Sequence, residues 1–215
     1  MSQAVCGWTI FLLCTVLLLV GCGAKEPEQA LEGTEVLAVA PFKQPRHNWE
    51  LLAGHAASGE EVSPSILQEL DQLLGAKLQE AGRQNYLTPS QVQECTLQVI
   101  SSVEERNNLS ALRFWSQVGE CLDADYLLLP HLLNWGERQG GQWGVEEPAR
   151  VHFDLYLLDV QEQKLLNRFK FDEQQKALSQ DLLQLGRFFR RGGKWVSARE
   201  LAGEGMQQAI QEWGL

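Results

Sequence analysis

The stretch Val151-His152-Phe153-Asp154-Leu155-Tyr156-Leu157-Leu158-Asp159-Val160-Gln161-Glu162-Gln163-Lys164-Leu165-Leu166-Asn167-Arg168-Phe169-Lys170-Phe171 decides the fold. Val151, Phe153, Leu155 and Leu157 alternate with His152, Asp154 and Tyr156. That is the period of two of a half-buried strand. A turn around Gln161-Glu162-Gln163 leads to Leu165, Asn167, Phe169 and Phe171, alternating with Leu166, Arg168 and Lys170. The pair reads as a β-hairpin, although its turn lacks an Asn-Gly signal.

Upstream, residues 126–135 are strand-like despite Pro130, whose missing N–H predicts an edge position or a bulge. Gly140, Gly141 and Gly144 mark residues 136–148 as a flexible connection to the hairpin. Near the start, Val36, Leu37, Ala38, Val39 and Ala40 form a run suited to a strand buried on both faces, ended by Pro41. Residues 43–62 show no apolar period and carry Pro45, Gly54 and Gly59, so they read as a long loop, mobile or used in contact.

Helical periods fill the remainder. Ser63 and Pro64 mark an entry, with Ser65 and Gln68 as an alternative capping box. Leu67, Leu70, Leu74, Leu78 and Ala81 make the stripe, and Gly82 ends it. Tyr86 and Leu87 read as a strand remnant, followed by helices over about residues 90–105 and from Ser110 onward, with Trp115, Val118 and Gly119 inward. Beyond the hairpin, Asp172 is expected to cap a helix containing Leu178, Leu182, Leu185 and Phe189. Ser197 and Glu200 offer a capping box for a last helix carrying Ala202, Met206, Ala209 and Trp213. The order predicts an α+β or three-layer α/β fold: a mixed sheet with flanking helices and a C-terminal helical segment.

Three regions follow from this reading: a signal peptide over 1–21, a tether over 22–34 and a single domain over 35–215. Residues 8–20 are almost wholly apolar but would span only about 20 Å as a helix, short of the roughly 30 Å hydrocarbon thickness. A signal h-region fits that length better than a permanent span, with an uncleaved anchor as the alternative. The run closes on Leu19-Val20-Gly21-Cys22, which resembles a bacterial lipobox. The resemblance implies cleavage before Cys22, a diacylglycerol on its sulfur and an acyl group on its new amine. Residues 1–10 depart from the usual pattern in carrying neither Lys nor Arg. Gly23, where an inner-membrane protein would carry aspartate, matches the rule for outer-membrane sorting, on the periplasmic side.

The chain holds 18 basic and 28 acidic side chains, a formal net charge of -10, and none of them lies in residues 1–21. Such a surface repels nucleic acid and anionic headgroups, so membrane attachment would rest on the acyl groups. With Cys6 and Cys14 removed and Cys22 lipidated, Cys95 and Cys121 remain. In an oxidising envelope compartment they either bridge two helices, closing a loop of about 26 residues, or stay as reduced buried thiols.

Residues 35–171 also resemble a known group of envelope domains. The strand Val36-Leu37-Ala38-Val39-Ala40-Pro41-Phe42, a helix ending in Gly82, and Ala124-Asp125-Tyr126-Leu127-Leu128 are similar to the domain shared by the amino-terminal part of TolB, the curli secretion lipoprotein and the lipoprotein activators of penicillin-binding proteins. Asp123 stands where that pattern has glycine, and Tyr156-Leu157-Leu158-Asp159 resembles its strand ending in Leu-Tyr-Asp, with one residue more before Asp159. The resemblance implies a noncatalytic interaction or assembly module but transfers no specific partner; a cell-envelope protein or polymer is the expected one. A regulator of peptidoglycan synthesis and a hydrolase or metal-binding envelope protein are the alternatives. No oligomeric state follows from it.

Direct signs of chemistry are few. His47 and His55 lie near Glu50, Glu60 and Glu61 but lack the compact spacing of a structural metal site, and no His-Glu-x-x-His occurs. His131 and His152 fall in strands, with Asp154 on the face of His152, yet no nucleophile accompanies them. No catalytic residue, cofactor or metal is therefore expected. Arg187, Phe188, Arg190, Arg191, Lys194 and Trp195 form the strongest surface clue. Cations favour a helix C-terminus, and adjacent Phe188, Phe189 and Trp195 cannot all face one core, so an exposed aromatic among arginines is a candidate partner contact.

Overall fold

The computed structural model describes residues 34–46, 50–53, 57, 60–102, 110–140, 147–174 and 196–215. Among these residues four strands form one mixed sheet in the order β1 (Leu37–Val39), β2 (Tyr126–Gly136), β3 (Arg150–Asp159) and β4 (Lys164–Gln174). β1 runs parallel to β2, and the other two pairings are antiparallel. Among the described residues four helices flank the sheet: α1 (Pro64–Glu80), α2 (Pro89–Ser102), α3 (Ala111–Cys121) and α4 (Ala198–Trp213). The expected mixed sheet with flanking helices and a C-terminal helix is the observed architecture.

The hairpin defines both faces. Phe153 pairs with Phe171 and Leu155 with Phe169 on one face, whereas Tyr156 pairs with Arg168 and Asp154 with Lys170 on the other. α1 and α4 cover the first face, where Leu70, Leu74 and Leu78 join Met206, Ala209 and Trp213 in a single apolar core with the Phe153, Phe169 and Phe171 rings. α2 and α3 cover the second, bringing Val92, Cys95, Val99, Trp115 and Val118 against Leu127, Leu129, Tyr156 and Leu158. Because helices lie on both sides, β3 is buried along nearly its whole length rather than half-buried. The alternation in its sequence separates two kinds of core, not core from solvent.

Local signals explain most element ends. α1 starts at Pro64 after an extended Ser63, but the Ser63 hydroxyl meets that of Ser65 at 2.8 Å and makes no side-chain cap bond. It ends in a Schellman turn, with Arg83 N–H donating to the Leu78 carbonyl at 2.9 Å and Gly82 at φ 98°. The Ser197/Glu200 capping box of α4 is fully formed. Leu87 lies along the outer side of β1, exchanging hydrogen bonds with Leu37 and Val39.

Two expectations are corrected here. β2 is an interior strand, and its register shift lies between Leu132 and Asn134 rather than at Pro130. Pro130 is tolerated because its nitrogen faces the β1 side beyond the last ladder pair, Val39 with Leu128, where Ala40 and Lys43 donate to the Leu128 and Pro130 carbonyls. Asp172 caps no helix start, because it lies within β4 opposite His152. The expected helix with Leu178, Leu182, Leu185 and Phe189 lies outside the described residues.

Candidate functional site

Beyond Leu129 the second face of the sheet turns polar. His131 is 3% exposed and stands directly across from Asp154 at 0% exposure, with Tyr156 next along β3. Arg168 reaches from β4 to Asp154 Oδ2, donating from Nη2 at 2.7 Å and Nε at 3.2 Å. The Tyr156 hydroxyl lies 3.0 Å from the same oxygen and 2.7 Å from the Ala53 carbonyl. It owns one hydrogen and faces two acceptors. Among the described residues neither His131 Nδ1 nor Asp154 Oδ1 has a hydrogen-bond partner, although both are buried.

The remaining wall comes from the chain after β1. Lys43 is hydrogen-bonded along β2, its N–H to Pro130 and its carbonyl from Leu132, and its Nζ lies 5.0 Å from the centre of the Trp115 ring. Burial lowers the Lys43 pKa, and Glu50 partly offsets this. Burial likewise pushes His131 down from its ordinary 6.5 to about 4, with Lys43 acting in the same sense and Asp154 and Glu50 against it. The Tyr156 phenol is raised, first by burial and then by the Asp154 charge. The site therefore favours a neutral imidazole at His131, beside the Asp154–Arg168 pair.

Such a cluster could orient an imidazole, and two hydroxyls on the helices of the same face are engaged with backbone carbonyls. Ser116, fully buried, gives its hydroxyl to the Leu112 carbonyl at 3.0 Å, and Thr96 gives its own to Val92 at 2.7 Å. Among the described residues no three His, Cys, Asp or Glu side chains come together as a metal site. His152 sits further along the face, 3.9 Å from Asp172, so the Asp154 that shares its sequence face is engaged with Arg168 and Tyr156 instead. Burial lowers the His152 pKa, and Asp172 opposes that.

Cys95 and Cys121 are joined in a disulfide with Cα atoms 5.9 Å apart, tying α2 to the last residue of α3. Cys22, His47, His55 and the group Arg187, Phe188, Arg190, Arg191, Lys194 and Trp195 lie outside the described residues. Sequence reading passed over the pairing of His131 with Asp154. The available signal was the hairpin register: once β2 is placed beside β3, a histidine and an aspartate on an otherwise apolar face must meet.

No protein-family model and no curated protein matches the chain. Solved structures do. The PelC dodecamer from Paraburkholderia phytofirmans is similar at 12% identity over 86% of this chain and 91% of that one, with a TM-score of 0.48. The lipoprotein GNA1162 from Neisseria meningitidis shows 15% identity over 74% of this chain and 95% of its own, with a TM-score of 0.41. The LpoB C-terminal domain from Escherichia coli shows 12% identity over 76% and 94%, with a TM-score of 0.39. At such identities and scores, function has to be read from this chain's own residues.

Proposed function

We propose that the chain is a nonenzymatic, lipid-anchored protein of the bacterial envelope that binds or helps assemble an envelope component. The observation that carries this reading is Leu19-Val20-Gly21-Cys22 at the end of an apolar run too short to span a bilayer. The Cys95–Cys121 disulfide supports it, because such bridges persist in oxidising compartments outside the cytosol.

In this reading residues 1–21 are removed, Cys22 is acylated, and residues 23–34 hold a single domain close to the periplasmic face of the outer membrane. Two or more acyl chains supply the stable attachment that a net charge of -10 does not. Arg187, Phe188, Arg190, Arg191, Lys194 and Trp195 are the proposed partner contact, offering cations and aromatic surface on an acidic protein.

Intact mass of the protein purified from membranes should show residues 1–21 missing and Cys22 acylated, and Cys22→Ala should leave the outer-membrane fraction. Retention of residues 1–21, or unchanged fractionation of Cys22→Ala, would overturn the anchor. Crosslinked purification should enrich an envelope protein or polymer that is lost when Arg187, Arg190, Arg191 and Lys194 are replaced by alanine. Equal recovery by both forms would remove this contact from the proposal. A peptidoglycan synthase among the partners would select the cell-wall regulator.

A further inference from the structure

We propose that Cys121 is the entry point for thiol–disulfide exchange in this fold: it takes up a mixed disulfide from an external disulfide oxidant, and Cys95 then closes the bridge from inside the core. The implied partner is a disulfide-bearing oxidant, met transiently at the end of α3. The proposal goes beyond the envelope-binding reading and does not rest on it, because both cysteines lie in the folded domain.

The two sulfurs of the bridge sit in unlike surroundings. Cys95 lies midway along α2 and is 8% exposed, packed in one apolar cluster with Val92, Val99, Trp115 and Val118. Cys121 is the last residue of α3 and is exposed, as are Glu120 before it and Asp123 beyond it. Gln98, one turn along α2 from Cys95, brings its Oε1 within 3.4 Å of the Cys121 sulfur, where it can accept the S–H of the reduced thiol. Solvent and a polar side chain reach one sulfur, and apolar side chains enclose the other.

That asymmetry sets the order of bond changes. Exchange proceeds by attack of a thiolate on a disulfide sulfur, and its rate depends on access to both. With α2 and α3 packed together, an external disulfide reaches Cys121 and not Cys95. The Cys121 thiolate attacks one sulfur of the oxidant, forming the mixed disulfide and expelling the oxidant's other sulfur as a thiolate. Cys95 then loses its proton and attacks the Cys121 sulfur, forming the Cys95–Cys121 bond and releasing the second thiolate. In all, two electrons and two protons pass from the protein's thiols to the oxidant, which leaves as two thiols. The second step is intramolecular. The helices hold the two Cα atoms 5.9 Å apart, within the ordinary range for a bridge, so closure needs no movement of either helix.

The test reduces the full chain, removes the reductant and adds glutathione disulfide under native conditions, comparing Cys95→Ala with Cys121→Ala. Trypsin cuts after Arg106 and Arg113, so the two cysteines fall in different peptides and each glutathione adduct is located by mass, apart from any on Cys6, Cys14 or Cys22. Cys95→Ala should gain glutathione on Cys121 at least about tenfold faster than Cys121→Ala gains it on Cys95, which reacts only when the fold opens locally. In denaturant the two rates should converge, because enclosure rather than the thiol itself sets the difference. Equal native rates, a faster adduct on Cys95, or a difference that persists in denaturant would overturn the order. Should Cys121→Ala fail to fold, the wild type quenched with acid early in its oxidation decides instead. Its mixed disulfide should be found on Cys121, and finding it mainly on Cys95 overturns the proposal equally.

Discussion

On the face covered by α1 and α4, the strand side chains that reach the core are apolar, from Leu37 and Val39 through Phe153 and Leu155 to Phe171. On the face covered by α2 and α3, the apolar residues of the same strands give way to His131, Asp154, Tyr156 and Arg168, and a disulfide ties the two helices together. The first face gains stability by area removed from water and by close packing. The second carries a cost, since each buried polar group needs a partner, and two atoms of the cluster have none. A sheet that assigns packing to one side can hold a titratable cluster on the other without losing its fold.

The sharpest way to break this comparison is to damage the apolar side. Phe153 is fully buried, stacked on Phe171 at 5.1 Å and edge-on to Phe42 at 6.3 Å. Phe153→Ala should cost about 3–5 kcal/mol in denaturant unfolding, the usual range for such a truncation. A loss below about 1 kcal/mol would mean that this face does not dominate stability. Gly205 makes the same point sterically, since a Cβ there would lie 2.6 Å from Phe171 Cγ.

Next in size is the disulfide, whose sequence separation of 26 corresponds to about 3.5 kcal/mol of lost chain entropy in the unfolded state. Replacing Cys95 and Cys121 together by alanine should lower stability by about that amount. Hydrogen exchange should quicken in α2 and α3 and leave α1 and α4 near their wild-type protection. Uniform loss of protection on both faces would show that they unfold as one unit and would blunt the contrast.

Acid should then reveal the histidine. Its folded pKa of about 4 lies below the ordinary 6.5, so the contribution is complete above pH 6.5 and disappears as pH falls through that window towards 4. At pH 5 the loss relative to pH 7 is at most about 2 kcal/mol. His131→Gln should flatten this part of the stability profile measured by urea unfolding at the two pH values. An unchanged profile would show that His131 does not set it.

The sequence displayed the apolar side more fully than the polar one. Period-two alternation over 151–171, the Leu70, Leu74 and Leu78 stripe, and the Ser197/Glu200 capping box each report a local rule that the structure keeps. Local rules do not say what stands opposite a residue across the sheet. Asp154 read as a companion of His152 because both lie on β3, whereas the register sets it across from His131. Asp172 read as a cap because it precedes a helical pattern, yet pairing with His152 keeps it in β4. Pro130 read as an edge signal, and an interior strand holds it because the ladder with β1 ends at the Val39–Leu128 pair, before the Pro130 nitrogen would be needed. The polar cluster assembles four residues from three strands, and its geometry is a property of register that no single segment encodes.

The smallest effect sits on the apolar side and has the opposite sign. Asp71, on α1, accepts the Phe42 N–H at 2.6 Å, and burial raises its pKa from 3.8 to about 6, with the Phe42 bond opposing the rise. A carboxyl raised in this way is disfavoured as an anion by the fold, so stability increases as pH falls through about 6 and the gain is complete below the unfolded value of 3.8. Because the side chain is only partly buried, solvent screens the charge and the gain between pH 7 and pH 5 should stay below about 1 kcal/mol. Asp71→Asn keeps an oxygen for Phe42 and removes the charge, so it should leave the protein equally stable or slightly more stable at pH 7. It should also steepen the acid-induced loss between pH 7 and pH 5, because the histidine would then act without its counterweight. If Asp71→Asn instead destabilises at pH 7, the Phe42 hydrogen bond to a full carboxylate outweighs the cost of burying it. The apolar face would then depend on a charge after all.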